Sequence, residues 1–270
     1  MSAARDRRHA KGLLIDFTKC IGCQACMQGC REANDLPLPQ DGAAAATQLD
    51  ADNFTIVEQR SAAGQDVFVR RLCMHCEDPA CASACPVGAF TKRPDGAVVY
   101  DGDLCFGCRY CMMACPFQIP KYEWDSAAPV VRKCILCFHR LDEGQQPACA
   151  AACPTGATRF GTREVLLEMA RERIKAHPDL YEQHIYGEHE AGGTDVLMLS
   201  PVSFASLGFH TDVPHKALPD LVWAVQKRIP NVVLTASVML GCLWWVVDRR
   251  MKHARLPEGG DAGESRQGRH

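Results

Sequence analysis

The run Cys105-Phe-Gly-Cys108-Arg-Tyr-Cys111-Met-Met-Ala-Cys115-Pro116 constrains this chain more than any other feature. Its C-x2-C-x2-C-x3-C-P spacing brings three thiolates to a [4Fe–4S] cluster and sends the fourth to a neighbouring cluster. Three further versions surround it. Cys20, Cys23, Cys26 and Cys30 keep the same spacing without the proline. Cys73, Cys76, Cys81 and Cys85 widen the middle gap; Cys134, Cys137, Cys149 and Cys153 widen it further, and both of these end in Cys-Pro. Sixteen of the 17 cysteines thus fall into four sets of four, which implies four [4Fe–4S] clusters.

Two other uses of so many cysteines fit less well. Disulfide frameworks belong mostly to short exported chains with irregular spacing, whereas here C-x2-C and C-x3-C recur in 270 residues. Two C-x2-C pairs can hold zinc, but zinc asks neither for a third cysteine two residues on nor for the trailing C-x3-C-P.

Cluster binding changes the charge of the chain. The formal net charge is −2, and four oxidised clusters with their thiolates add about −8. Arg109, Lys121, Arg132, Lys133 and Arg159 lie near the motifs and are candidate counter-cations. No basic run points to nucleic acid. A hydrophobic content of 47% suits a globular chain.

Along the chain, residues 1–12 are polar and basic and are expected to fray. Arg7-Arg8 is followed by no long apolar stretch and no small-residue cleavage site, so no export signal of the chain's own is expected. Gly12 to Phe17 reads as a strand entering the first motif, where Gly22 lets backbone approach a cluster. Leu36 to Pro39 and Ala43 to Ala46 read as loop. Phe54–Gln59 and Val67–Arg71 read as strands joined at Ala-Ala-Gly, and Val98–Tyr100 as a strand returning to the third motif. Pro-x-Gly-Ala follows both Cys85 and Cys153, an internal repeat that indicates duplicated cluster-binding units. Residues 162–176 read as a helix capped by Thr162 and stopped at His177-Pro178. Val165, Leu166, Met169, Ala170 and Ile174 form its apolar face, expected to pack on the cluster core.

From Ile229 to Val247, 19 residues carry no charge, long enough to cross a bilayer. Trp244 and Trp245 suit an interface belt, and Arg249, Arg250, Lys252 and Arg255 a stop-transfer cluster. Cys242 lies inside this span, out of register with every motif. The expected divisions are a flexible 1–12, a cluster body at 13–180, a connector at 181–228, a transmembrane helix at 229–247 and a basic, then disordered tail at 248–270.

Cys-Met-His-Cys-Glu-Asp-Pro, Cys-Pro-Phe-Gln-Ile-Pro-Lys-Tyr and Cys-Pro-Thr-Gly-Ala-Thr-Arg-Phe-Gly-Thr-Arg-Glu, in this order, resemble the four-cluster iron–sulfur subunits of membrane-bound respiratory oxidoreductases. The eleven-residue gap between Cys137 and Cys149 resembles the beta subunits of nitrate-inducible-type formate dehydrogenases. Ile185-Tyr-Gly-Glu-His-Glu-Ala-Gly-Gly-Thr-Asp-Val and the run Cys105 to Tyr122 are more similar to the iron–sulfur proteins of [NiFe] hydrogenase 2. The resemblance implies an α+β fold of two ferredoxin-like dicluster units, followed by the single transmembrane helix. It also implies a crossed ligand pattern. Cys20, Cys23 and Cys26 share a cluster with Cys153, and Cys30 joins Cys134, Cys137 and Cys149. Cys73, Cys76 and Cys81 share one with Cys115, and Cys85 joins Cys105, Cys108 and Cys111. Arg31 stands where the other motifs have proline, which should alter loop rigidity and leave ligation alone.

The function this implies is electron relay, not catalysis by the chain itself. Electrons would pass from a molybdenum- or tungsten-pterin formate dehydrogenase subunit, or alternatively from [NiFe] hydrogenase large and small subunits or another molybdopterin oxidoreductase, to an integral quinone-site subunit of cytochrome b or polytopic type. The sequence carries no nucleophile elbow, dinucleotide fingerprint or Walker loop. A stand-alone redox enzyme would need a three-cysteine cluster with an open iron, yet every set is complete. A zinc-stabilised interaction module fits the spacing less well still. His75, between two ligands, reads as a potential-tuner or spacer. The cluster body is expected in the periplasm, exported with a signal-bearing catalytic partner; the alternative is the cytoplasmic membrane face.

Overall fold

The computed structural model describes residues 10–37, 48–126 and 129–254. Residues 38–47 of the first long gap lie outside the described residues, as do 1–9 of the basic start and 255–270 of the tail. The chain forms two compact units, Met1–Leu221 and Val222–His270.

The first unit is organised on β1 (Lys11–Asp16), whose Leu13, Leu14 and Ile15 are almost wholly buried. A continuous apolar run of this kind belongs to a strand covered on both faces. Its neighbours are β8 (Thr158–Thr162), antiparallel, and β9 (Val196–Leu199), parallel. Alternate residues then serve two cores. Leu13 and Ile15 join the core that contains Cys30, Cys73, Cys134 and Cys149. Leu14, Leu197 and Leu199 face the other way, onto Leu166 and Ala170 of α6 (Arg163–Ala176).

Three expectations change here. The chain is ordered from Ala10 on, because Lys11 pairs with Thr162 and Leu13 N donates to Asp195 O at 2.9 Å. The apolar face of α6 packs on the sheet, away from the cysteines; Val165 is 58% exposed. Thr162 holds the N-cap position with no side-chain capping bond, and Arg163 N instead donates to Ala10 O at 2.8 Å. His177 ends the helix as expected.

The stretch expected as a connector from 181 is mostly core. β9 supplies the third strand, and Tyr181, Ile185, Tyr186, Phe204, Val213 and Ala217 are buried. Tyr186 stacks on Phe204 at 5.0 Å, and Phe209 closes the aromatic group at 5.1 Å from Tyr186. Burying each such side chain is worth about 1.5–3 kcal/mol, and the core extends to Ala217.

Three hairpins complete the unit. β2 (Thr55–Ala62) and β3 (Gln65–Leu72) meet at Ala63-Gly64, both with positive φ (51° and 79°), as a twist-matched two-residue turn requires. β4 (Phe90–Lys92) pairs with β5 (Val98–Tyr100), and β6 (Lys121–Tyr122) with β7 (Val131–Arg132). Short helices lie beside the cysteines: α1 (Ala25–Ala33), α2 (Ala80–Ser83), α3 (Tyr110–Ala114), α4 (Phe138–Asp142) and α5 (Ala148–Ala151). With Arg31 in place of proline, α1 continues past Cys30 to Ala33, whereas α3 ends before Cys115-Pro116.

Beyond the core come α7 (Leu218–Gln226) and α8 (Ile229–Ala254). Within Leu218–Lys252 the chain is helical and apolar enough to cross a membrane, by length and composition. The charge-free part of α8 rises about 28 Å, close to the ~30 Å of a bilayer's hydrocarbon. Thr235 donates its hydroxyl to Asn231 O at 2.7 Å, so this polar group is satisfied within the helix. The helix does not stop at Val247: Lys252 pairs with Asp248 at 2.7 Å, and Arg249 lies over the Trp245 ring at 5.3 Å.

Candidate metal centre

The four cysteine loops share one backbone feature, and the first and third alternate further, with Gln24 (φ 59°) and Arg109 (φ 62°) left-handed as well. The residue before the second cysteine is left-handed in each: Gly22 (φ 70°), His75 (50°), Gly107 (81°) and Leu136 (55°). Alternating left- and right-handed residues turn successive N–H groups to one side, a concavity that suits anions and iron–sulfur clusters. Several N–H groups do reach sulfur: Gly107 N to Cys105 at 3.4 Å, Leu136 N to Cys134 at 3.5 Å and Ala89 N to Cys85 at 3.3 Å. Thr158 N reaches Cys153 at 3.4 Å, and Asn34 Nδ2 reaches Cys30 at 3.7 Å. Left-handed His75 and Leu136 each cost about 1–3 kcal/mol, which the burial of both residues offsets.

The repeat is longer than its Pro-x-Gly-Ala tail. Pro79-Ala-Cys-Ala-Ser-Ala-Cys-Pro-Val-Gly-Ala89 matches Pro147-Ala-Cys-Ala-Ala-Ala-Cys-Pro-Thr-Gly-Ala157 at all but two positions. Both copies form a four-residue helix after proline, then a turn with Gly88 (φ 68°) or Gly156 (φ 63°), then a strand. The strand leaving the fourth motif, β8, pairs with β1, which enters the first. The strand leaving the second motif, β4, pairs with β5, which enters the third.

Around these ladders cysteines of different motifs lie close enough to influence one another. Burial raises the pKa of the Cys20 thiol, and the neighbouring Cys153 and Cys23 raise it further. Burial pushes Cys30 up to about 12, with Cys149 and Cys137 adding to it. Cys134 is raised well above the usual range by burial, then by Cys30, Cys73, Cys149 and Cys137. Burial likewise raises Cys76, with Cys115, Cys73 and Cys81 beside it. Cys111 is pushed up to about 11 by burial and by Cys105 and Cys108. Cys85 packs in the same apolar cluster as Cys81 and Cys111.

The groups also adjoin in a line. Cys26 is close enough to Cys149, Cys134 to Cys73, and Cys81 to Cys111 for each pair to interact. Cys30, Cys134, Cys137 and Cys149 in the middle are buried, while Cys23 at one end is exposed and Cys105 and Cys108 at the other are partly so.

These groups fit iron–sulfur clusters. Every cysteine is a free thiol. Among the described residues no three His, Cys, Asp or Glu side chains converge tightly enough to hold one metal ion. A cubane takes one thiolate at each iron and so asks for sulfurs held apart, whereas zinc would draw four onto one point.

Cations surround the sulfurs. Of the five expected, Lys133 is buried, with its ammonium on Val98 O and, at 2.9 Å, Cys134 O. Arg109 lies over the rings of Tyr122 (5.6 Å) and Trp124 (5.1 Å), and Arg132 pairs with Glu123 at 2.5 Å. Two cations went unnoticed in the sequence. Lys92 reaches His75 O at 2.9 Å and pairs with buried Asp195. Arg70 is only 2% exposed, and Cys149 and Cys26 are the side chains that most favour its charge. His75 accepts from Val98 N at Nδ1, 2.9 Å, and burial, with Lys133 and Lys92 nearby, holds its pKa well below the ordinary range. The ring is therefore neutral and bonded to β5.

Fold and thiol sets together define a ferredoxin-type iron–sulfur protein. A 4Fe-4S dicluster domain family matches residues 65–163. A protein of Nitratidesulfovibrio vulgaris is 43% identical over 252 residues, 90% of this chain and 68% of its own. The hydrogenase-2 operon protein HybA of Shigella flexneri is 35% identical over 297 residues, 94% of this chain and 88% of its own. The iron–sulfur subunit of the nitrate-inducible formate dehydrogenase of Escherichia coli is 37% identical over 253 residues, 90% and 81% respectively. The chain belongs to this family of 4Fe-4S iron–sulfur subunits.

Proposed function

We propose that the chain is the electron-transfer subunit of a membrane-bound oxidoreductase, with two dicluster units holding four [4Fe–4S] clusters. When bound, each cluster accepts and returns one electron. The observation that supports this reading is the succession of neighbouring thiols from motif to motif, Cys26 with Cys149, Cys134 with Cys73 and Cys81 with Cys111. Electron tunnelling falls steeply with distance, so adjoining sets favour relay. The chain's residues contribute the left-handed loops that aim N–H groups at sulfur, the buried cations, and the apolar packing that keeps water from the middle sets.

The catalytic partner in this reading is a formate dehydrogenase, as for the Escherichia coli relative. A [NiFe] hydrogenase is the second reading, favoured by the fuller span of the match to HybA, 94% of this chain. Electrons leave to an integral quinone-reducing subunit, against which α8 docks in the membrane. Arg249, Arg250, Lys252 and Arg255 follow the span, against Lys216, Lys227 and Arg228 before it. That balance favours a cytoplasmic C-terminus and a periplasmic body carried across by its catalytic partner.

Anaerobic purification of the detergent-solubilised complex tests the reading. The expected content is about sixteen iron and sixteen acid-labile sulfide per chain, from four clusters of four. A content near one cluster, or zinc in place of iron, refutes it. Mass spectrometry of the co-purifying large subunit decides between the two catalytic partners.

A further inference from the structure

β3 runs toward the second motif, yet its outer face looks at the first. Phe68 and Arg70, two residues apart, share that face. The Phe68 ring lies against Gly22, and Phe68 packs with Cys20 and Cys26. Arg70 is the next residue along, and it lines one small cavity with Cys30, Cys134, Cys137 and Cys149; Cys149, Cys26 and Cys134 all favour its charge. Its Nε donates to Thr55 Oγ1 at 2.9 Å and its Nη1 to Thr158 Oγ1 at 2.8 Å. Nη2 closes no well-formed hydrogen bond. Burial works against the charge on Arg70, but Cys149 and Cys26 outweigh it and raise its pKa.

A guanidinium removed from water costs several kcal/mol unless an anion compensates it. Its two well-formed hydrogen bonds go to neutral hydroxyls, and the compensating interactions come from the sulfurs, Cys149 foremost. Two tethers fix the charge beside the sulfurs of Cys149 and Cys26. Lys133 does the corresponding work for the other unit: it sits one residue before Cys134, but its ammonium lies beside Cys81 and over Phe90, at 5.9 Å from the ring.

We propose that Arg70 is the shared counter-cation of the cluster pair built by the first and fourth motifs, and that it raises the reduction potentials of both clusters. The inference rests on the four-cluster reading. One electron added to either cluster makes it more negative by one charge, and a fixed positive charge alongside stabilises that reduced form. Arg70 thereby keeps this pair able to accept electrons, acting on the clusters through space and not as a ligand.

The test is a redox titration of the purified complex, followed by electron paramagnetic resonance, with iron content measured alongside. Signals are assigned by the changes that Cys153→Ser and Cys108→Ser produce. In Arg70→Gln the reduced-to-oxidised ratio at a fixed potential should fall about tenfold in two of the four clusters, about 59 mV for a one-electron couple. Arg70→Lys, which keeps the charge, should fall less. Lys133→Gln should move the other two. Should Arg70→Gln be short of iron, Thr158→Val carries the test by freeing Nη1, and the same two clusters must shift. Full iron with unmoved potentials, or an equal shift in all four, overturns the role of Arg70 alone. Wild-type iron near one cluster overturns the four-cluster reading with it.

Discussion

Gly22 offers a test of how tightly the first loop is built. Its φ is +70°, and a Cβ added there would lie 2.4 Å from Phe68 Cε1 and 2.6 Å from Cδ1. Carbon atoms prefer about 3.5–4.0 Å, so the ring must move by more than an ångström. Gly88 has nearly the same φ, +68°, with nothing within 4 Å of an added Cβ. Alanine at either site meets the left-handed penalty, about 1–2 kcal/mol. Only Gly22→Ala adds overpacking, about 1–3 kcal/mol. The two variants should therefore differ by about 1–3 kcal/mol, or roughly 2–12 °C for a body of this size. Thermal bleaching of the absorbance near roughly 400 nm, measured anaerobically, reads the difference. Gly22→Ala must bleach first, and Phe68→Leu in that background should recover part of the loss. Equal midpoints for Gly22→Ala and Gly88→Ala would refute the reasoning, because the backbone term is common and only the contact with Phe68 separates them.

Two further outcomes follow from the placement of the cysteines and of β9. Cys111→Ser should lower iron content or convert a cluster, whereas Cys242→Ser, in exposed α8, should leave iron unchanged; equal losses would mean that Cys242 belongs to a ligand set. A chain ending at Ala217 should leave the membrane with its clusters assembled, while one ending at Leu180 should fail to assemble, since it lacks the parallel partner of β1. Normal iron in the shorter chain would show that β9 is dispensable to the body.

The cysteine loops, the β2–β3 hairpin and the apolar span were legible because their signals are local: fixed spacings, a Gly turn, an uninterrupted apolar run. β9 was not. Val196-Leu-Met-Leu199 is too short to show a period, and its partner Leu13–Asp16 lies some 180 residues away. The apolar face of α6 was visible, but not which core it met; that depended on β9 being in the sheet. The left-handed loops were legible at Gly22 and Gly107 and hidden at His75 and Leu136, where burial overrides the residue's own preference. The long repeat from Pro79 and Pro147 lay in plain view, and only its tail was read.

Arg70 was hidden for a deeper reason. Nothing near it in sequence explains a buried charge: Thr158, its hydroxyl partner, is 88 residues away, and Arg71 beside it pairs with Glu58 at 2.6 Å on the half-buried face. The duplication supplies the explanation. The β4–β5 ladder closes the second and third motifs within a short stretch, whereas β1–β8 closes the first and fourth around the outside of it. The chain therefore enters the inner motifs after the first motif and leaves them before the fourth. β3 passes the first motif on its way to Cys73 and leaves Arg70 there; the approach to Cys134 passes the second and leaves Lys133 beside Cys81. Each segment thus delivers a thiol to one group and a charge to another. Cutting the chain between Cys73 and Cys134 would separate Arg70 and Lys133 from the thiols they neighbour, which gives a physical reason for Met1–Leu221 to be one compact unit.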